Sequence, residues 1–145
     1  VRTVVGAEPT VLRANAVEGP RGIDVSVEAE LSLPGGLPAV ITTSMVAEKV
    51  VWPDAMTFKA SGESGEMEVL NPMAPQSGHR ISATLADGTS VNEVLDTASS
   101  YEHQLRAFYK AVTGEQAAVT GGADSVANMR VIDAIYEACG LGVRL

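Results

Sequence analysis

The chain has 145 residues, 46% of them apolar and 19% charged, enough for one ordinary domain with a sizeable core and unlike a disordered or fibrous polypeptide. No apolar run nears the roughly 18 residues of a membrane-spanning helix, and a formal net charge of -8 with no basic patch opposes nucleic acid and anionic lipid. The single cysteine, Cys139, excludes an intrachain disulfide and a cysteine-rich metal site, and reads as a small buried hydrophobe.

In chain order, RTVVG and PTVLRANAV read as two short strands around a Gly-Ala-Glu-Pro break, rich in Val, Leu and Thr. EGPRG is a turn. IDVSVEAELSL then shows the clearest alternation: Ile23, Val25, Val27, Ala29, Leu31 and Leu33 on one side, Asp24, Ser26, Glu28, Glu30 and Ser32 on the other. After Pro34, Gly35, Gly36 and Pro38, LPAVITTSMV returns as its partner, so positions 23 to 46 form a hairpin. AEKVVWPDA is less regular, with Trp52 before Pro53.

MTFKASG and GEMEVLNP make a second hairpin around Glu63 and Ser64, flanked by Gly62 and Gly65. Beyond the loop NPMAPQSGH, RISATL and TSVNEV pair across Ala86, Asp87 and Gly88. In SYEHQLRAFYKAVTGE the residues Tyr101, Leu105, Phe108, Tyr109 and Val112 recur at helical spacing. ADSVANMRVIDAIYEACG does the same with Val126, Met129, Ile132, Ile135, Tyr136 and Cys139, its start capped by Asp124 or Ser125 and its end set by Gly140. Strands first and helices last predict an α+β fold: an open, largely antiparallel sheet of about 7–8 strands with two C-terminal helices on one face. The opposite sheet face is left partly apolar for another chain or domain.

The usual catalytic and nucleotide-binding motifs are missing: no G-x-G-x-x-G after a strand, no G-x-S-x-G, no Walker sequence, no H-E-x-x-H and no C-x-x-C. Gly121 and Gly122 in TGGADS precede a helix, but no strand feeds that turn and no lysine follows, so a loop with a cap explains them better than an anion site. His79, beside Arg80 in a Pro-rich loop, and His103, in the first turn of the first long helix, are the residues with acid–base chemistry to spare. Neither sits with paired carboxylates, so no metal site is proposed. The acidic residues Asp24, Glu28 and Glu30 read as a solvated strand face, and the chain as a non-catalytic half.

SYEHQLRAFYKAV followed by SVANMRVIDAIYEACG resembles the C-terminal signature of the glucose-fructose oxidoreductase/inositol dehydrogenase/rhizopine-catabolism (Gfo/Idh/MocA) family of NAD(P)-dependent oxidoreductases. IDVSVEAELSLPGGLPAVITTSM, SGESGEMEVLNPMAP and GHRISATLADG are similar to the sheet of that family's second domain. The resemblance implies that residues 1–145 are a single C-terminal substrate and oligomerisation domain. The Gly-rich Rossmann fingerprint, the E-K-P segment with the catalytic Lys and the D-x-x-x-H-type motif are absent. Glu48-Lys49-Val50 lacks the required Pro, so no catalytic role passes to Lys49.

What the resemblance further implies is a partner, the N-terminal Rossmann domain; NAD or NADP in the full-length enzyme and none in this chain; and a homodimer or higher homo-oligomer through the exposed sheet face, while the lone cysteine is compatible with a reducing, cytoplasmic setting. The substrate would be a sugar, polyol or dihydrodiol, with His79, Arg80 and Trp52 as the candidate residues that select it. Val1 opens in strand-like sequence with neither an initiator Met nor a signal segment, so something is expected upstream. The alternatives are a stand-alone binding or dimerisation module, and a different α+β enzyme using His79 with a carboxylate.

Overall fold

A computed structural model describes residues 2–46, 56–93 and 98–142. Among the described residues, seven strands and two long helices give the expected α+β class. The described residues divide into two compact units, one built from both ends of the chain (Val1–Glu48 and Thr120–Leu145), the other from Lys49–Val119.

The first unit contains α1 (Arg2–Val5), β1 (Thr10–Glu18), β2 (Asp24–Leu33), β3 (Leu37–Ser44) and α3 (Gly122–Ala138). Its three strands form an antiparallel sheet in the order β1-β2-β3. Directly opposed residues share a face, so the register stacks Ala14, Ala29 and Ile41 in one row, and Val11, Leu31 and Ala39 in the next. These rows make the core, with Ile135 of α3 and Cys139 just past its end packed on them. Alanine at 14 and 29 keeps the sheet surface low, which lets the helix settle close. Cys139 therefore sits against the core, and burial pushes its thiol pKa up. Arg13, Asn15, Glu28, Glu30, Val40 and Thr42 form the opposite rows, where Leu12, Val17 and Val40 stand exposed beside an Arg13–Glu30 ion pair.

Three local readings are corrected here. RTVV is not a strand but the short helix α1, because Arg2 finds a double partner in Glu8 (2.8 and 2.7 Å) and a further one in Asp124 (3.1 Å) that anchor a helical turn. Helix α3 begins at Gly122 with Gly121 as cap residue, so neither Asp124 nor Ser125 caps it; the Ser125 hydroxyl instead donates back to the Gly121 carbonyl at 3.1 Å. Asp24 is not on the solvated face with Glu28 and Glu30. An extra residue in β2, Val25, breaks the register between Val17 and Glu18 and reverses the alternation beyond it. Asp24 thereby accepts a hydrogen bond from the Tyr136 hydroxyl of α3, 3.3 Å from either carboxylate oxygen. Helix α3 closes in a left-handed Gly140 (φ 74°): the Leu141 amide bonds the Tyr136 carbonyl (3.0 Å) and the Gly140 amide bonds that of Glu137 (2.9 Å).

The second unit contains β4 (Thr57–Gly62), β5 (Gly65–Leu70), β6 (Arg80–Leu85), β7 (Ser90–Glu93) and α2 (Ser100–Val112). The strands form a four-stranded antiparallel meander in sequence order. Register divides the two faces by chemistry. Phe58, Val69 and Ile81 lie in one row, which ends in Glu93, and Ala60, Met67, Ala83 and Val91 in another on the same side. Lys59, Glu68, Ser82 and Asn92 oppose one another on the other side, as do Ser61, Glu66, Thr84 and Ser90. The β4–β5 hairpin turns through Glu63 and Ser64 between the paired Gly62 and Gly65, as the glycine spacing predicts. Gly65 (φ 136°) has no room for a side chain, since a Cβ would lie 2.2 Å from the Thr84 carbonyl oxygen.

Candidate functional site

Strand β5 ends at Leu70, and the chain must then cross to β6 without further ladder bonds. Asn71 solves this by entering the left-handed region (φ 52°), which asparagine tolerates better than most residues. Its side chain is fully buried and works as the hub of the loop: Nδ2 donates to the carbonyls of Ala74 and Gly78, both at 2.7 Å, while Oδ1 accepts from the Ala74 amide at 3.2 Å. Its own amide bonds the Met56 carbonyl at 2.8 Å, tying the loop to the start of β4. A 3-10 turn, Pro75–Ser77, fills the middle.

His79 follows, half-buried, with Nδ1 2.9 Å from the Pro75 carbonyl oxygen. Arg80 comes next, exposed, as the first residue of β6 opposite Leu70. The braced loop thus leads directly into His79 and Arg80 at the start of β6. The same loop holds α2, because the Ser100 hydroxyl donates to the Met73 carbonyl at 2.6 Å.

Helix α2 is capped by Ser99, whose hydroxyl oxygen accepts the Glu102 amide at 3.1 Å. A Glu102–Arg106 pair one turn apart supports its polar side. The predicted apolar stripe is present, but Tyr101, Leu105, Phe108, Tyr109 and Val112 are 63 to 78% exposed. His103 lies in the first turn on the helix surface.

In the first unit a groove of about 370 Å³ lies between the sheet and α3. Val27, Leu31, Ile41, Ile132 and Ile135 line it, with Asp24 and Tyr136 as its main polar pair. The side-chain hydrogen bond from Arg2 holds the Glu8 carboxyl below the usual range, and that from Arg13 does the same for Glu30. In the second unit the Thr89 amide, 2.8 Å from the Asp87 carboxylate, lowers that group too.

Of the residues expected to select substrate, His79 and Arg80 are together on the braced loop, while Trp52 and Lys49 lie outside the described residues. Asn71 carried no role in the sequence reading, although Asn-Pro directly after a strand is a turn signal that points to it. Asp24 with Tyr136 was equally hidden, because a β-bulge has no sequence signature. Among the described residues no three His, Cys, Asp or Glu side chains gather as a metal site. No described helix is long and apolar enough to cross a membrane.

Helix α3 opens at Gly121 and Gly122 with Asp124 in its first turn, already paired with Arg2; a carboxylate there opposes a pyrophosphate, so this helix start does not fit the phosphates of a nicotinamide dinucleotide.

No protein-family model matches the chain. D-xylose 1-dehydrogenase (NADP+) 2 of Haloferax volcanii is 30% identical over 125 residues, covering 83% of this chain and 36% of that enzyme. The chain therefore spans about a third of the length of this curated relative. Among solved structures, a variant of the 3-ketoreductase KijD10 from Actinomadura kijaniata, in complex with TDP-benzene and NADP, superposes with a TM-score of 0.75 at 18% identity, covering 94% of this chain and 43% of that one. An oxidoreductase from Agrobacterium radiobacter, in complex with NAD+, L-tartaric acid and magnesium, does so with a TM-score of 0.71 at 17% identity, over 96% and 43%.

The class so defined is an α+β domain of the fold that these oxidoreductases contain. More particularly, one likeness in sequence and two in fold fit the C-terminal domain of a glucose-fructose oxidoreductase/inositol dehydrogenase/rhizopine-catabolism family oxidoreductase, the family that the helix signature resembles.

Proposed function

We propose that this chain is the substrate-binding and assembly domain of a cytoplasmic, NAD(P)-dependent oxidoreductase acting on a sugar or polyol, and that it is not catalytic alone. The observation that carries the reading is the likeness to a D-xylose 1-dehydrogenase over most of this chain but only about a third of that enzyme. The cofactor and the groups that move hydride and proton belong to the remaining, N-terminal part. When bound there, the nicotinamide accepts or gives the hydride. This chain supplies the loop 71–80, with His79 and Arg80 as hydrogen-bonding groups toward substrate hydroxyls.

The exposed stripe of α2 suits contact with the nucleotide-binding domain, since five large apolar side chains on one helix call for a dry partner. The outer face of the three-stranded sheet, where Leu12, Val17 and Val40 stand among charged residues, suits a homodimer.

The test compares the whole polypeptide encoded by the gene with the 145-residue chain. NADP+ or NAD+ reduction with D-xylose or another aldose or polyol is expected from the first and not from the second. Saturable binding of NADP+ to the 145-residue chain alone overturns the division of labour. A whole polypeptide with no nucleotide-binding segment replaces it by a stand-alone binding module.

A further inference from the structure

The chain has one Asp-Gly pair, Asp87-Gly88, and no Asn-Gly pair. It lies in the turn between β6 and β7, where the Gly88 amide donates to the Leu85 carbonyl at 2.9 Å and the Leu85 amide donates to the Thr89 carbonyl at 2.8 Å. This closure needs a residue in the left-handed region after Asp87, and Gly88 supplies it (φ 85°). The turn thus places glycine, the neighbour that shields an aspartate least, directly after an exposed one. Among the described residues nothing lies within 4 Å of the position a Cβ would take at Gly88, so that side of the peptide bond is open.

An aspartate followed by glycine has an intrinsic reaction that needs no partner but water. The Gly88 nitrogen attacks Cγ of Asp87, the amide proton leaves with the carboxyl hydroxyl as water, and a five-membered imide forms. Water then opens the ring at one of its two carbonyls. Opening at the side-chain carbonyl restores aspartate. Opening at the main-chain carbonyl leaves isoaspartate, in which the backbone runs through Cβ and Cγ and is one carbon longer. Nothing is oxidised or reduced.

Native hydrogen bonds oppose the reaction at both reacting atoms. The imide nitrogen carries no hydrogen, so ring closure loses the bond from Gly88 to Leu85. Cγ gives up its charge, so closure also loses the bonds that the Asp87 carboxylate accepts from the Thr89 amide, at 2.8 Å, and from the Thr89 hydroxyl. Those bonds hold the carboxyl below its usual range, and an ionised carboxyl is the poorer electrophile.

We propose that Asp87 is the isomerisation site of this chain, latent in the closed β6–β7 turn and reactive when the turn opens. The product disturbs the sheet. One extra main-chain carbon between Ala86 and Gly88 breaks the match of Leu85 with Thr89, and Ser90 and Val91 lose their places opposite Thr84 and Ala83. Asp87 thereby records how often β7 has come away from β6.

The test incubates the chain at neutral pH and physiological temperature, both folded and in urea strong enough to unfold it. Isoaspartate is counted by enzymatic methylation of L-isoaspartyl carboxyls and placed by fragmentation mass spectrometry. The unfolded chain is expected to accumulate it at position 87 before any other, and Asp87→Glu to lose that signal, since its longer side chain would need a six-membered ring. The folded chain should react more slowly by about tenfold or more, the loss of one hydrogen bond to a charged group. Thr89→Ala, which removes the hydroxyl bond and keeps the amide one, is expected to raise the folded rate severalfold and leave the rate in urea unchanged, and Thr89→Ser to restore it. Equal rates in folded and unfolded wild type overturn the protection by the turn. Isoaspartate arising first at another residue overturns the assignment of the site. A folded Thr89→Ala rate equal to that of wild type overturns the role given to the Thr89 hydroxyl.

Discussion

Asn71 and Gly65 show two ways in which a single position controls the four-stranded sheet. Asn71→Ala removes three hydrogen bonds of a buried side chain and places alanine at positive φ, for which a loss of about 2–4 kcal/mol is expected. Asn71→Gly, free of the backbone strain, should lose less, and urea denaturation of the two variants measures the difference. At Gly65 no side chain fits, because the obstacle is the Thr84 backbone rather than a movable side chain. Gly65→Ala is expected to cost about 1–3 kcal/mol from backbone strain, with more from the contact, read as a lowered Tm. Acid should also weaken the first unit. Glu8 and Glu30 have folded pKa values below their ordinary range, owing to Arg2 and Arg13. A carboxyl shifted down on folding stabilises the fold above its unfolded pKa and loses that contribution as pH falls through the folded one. Urea midpoints should therefore drop on acidification through and below the usual glutamate range, and a Glu8→Gln/Glu30→Gln double variant should show a shallower drop.

At the scale of the element, period and punctuation were legible and register was not. The alternation from Ile23 to Leu33 marks β2, and its buried Ala29, Leu31 and Leu33 are the expected side. The glycines at 62 and 65 and the Asp87-Gly88 pair place both later hairpins. Asp24 escaped because one inserted residue, Val25, changes sides without changing the pattern. RTVV escaped because four residues with strand propensity became helical through the distant partner Asp124 of Arg2, a case of tertiary contacts overriding local preference. Helix α2 was legible as a helix, while what covers its stripe is not written in its own residues. Since Leu105 and Phe108 are 67 and 65% exposed, Leu105→Gln and Phe108→Gln should change the stability of this chain by no more than about 0.5 kcal/mol. In the whole enzyme, if α2 meets the nucleotide-binding domain, the same substitutions should lower its Tm by several degrees. Equal, small effects in both settings would mean that the stripe stays wet.

For the whole molecule, the resemblance carried what periodicity could not. Element order yields α+β with exposed faces, and nothing in it speaks of nicotinamide. The helix signature named the family, to which the sequence and fold likenesses also point. His79 and Arg80 were legible as loop residues with chemistry to spare; Asn71, which braces them, was not, because a hub is defined by contacts among residues that each look ordinary. In the four-stranded sheet the register sorts much of the two faces by chemistry: Phe58, Val69 and Ile81, with the exposed Glu93 at the end of their row, lie on one side, and Lys59, Glu68, Ser82 and Asn92 on the other. A slip of β5 by one residue against its neighbours would turn Glu66 and Glu68 toward the side of Phe58 and Ile81 and push Met67 and Val69 to the polar side. Versions of this meander mispaired at β5 are thus disfavoured by desolvation of its glutamates, and the newly made chain is steered toward the native pairing.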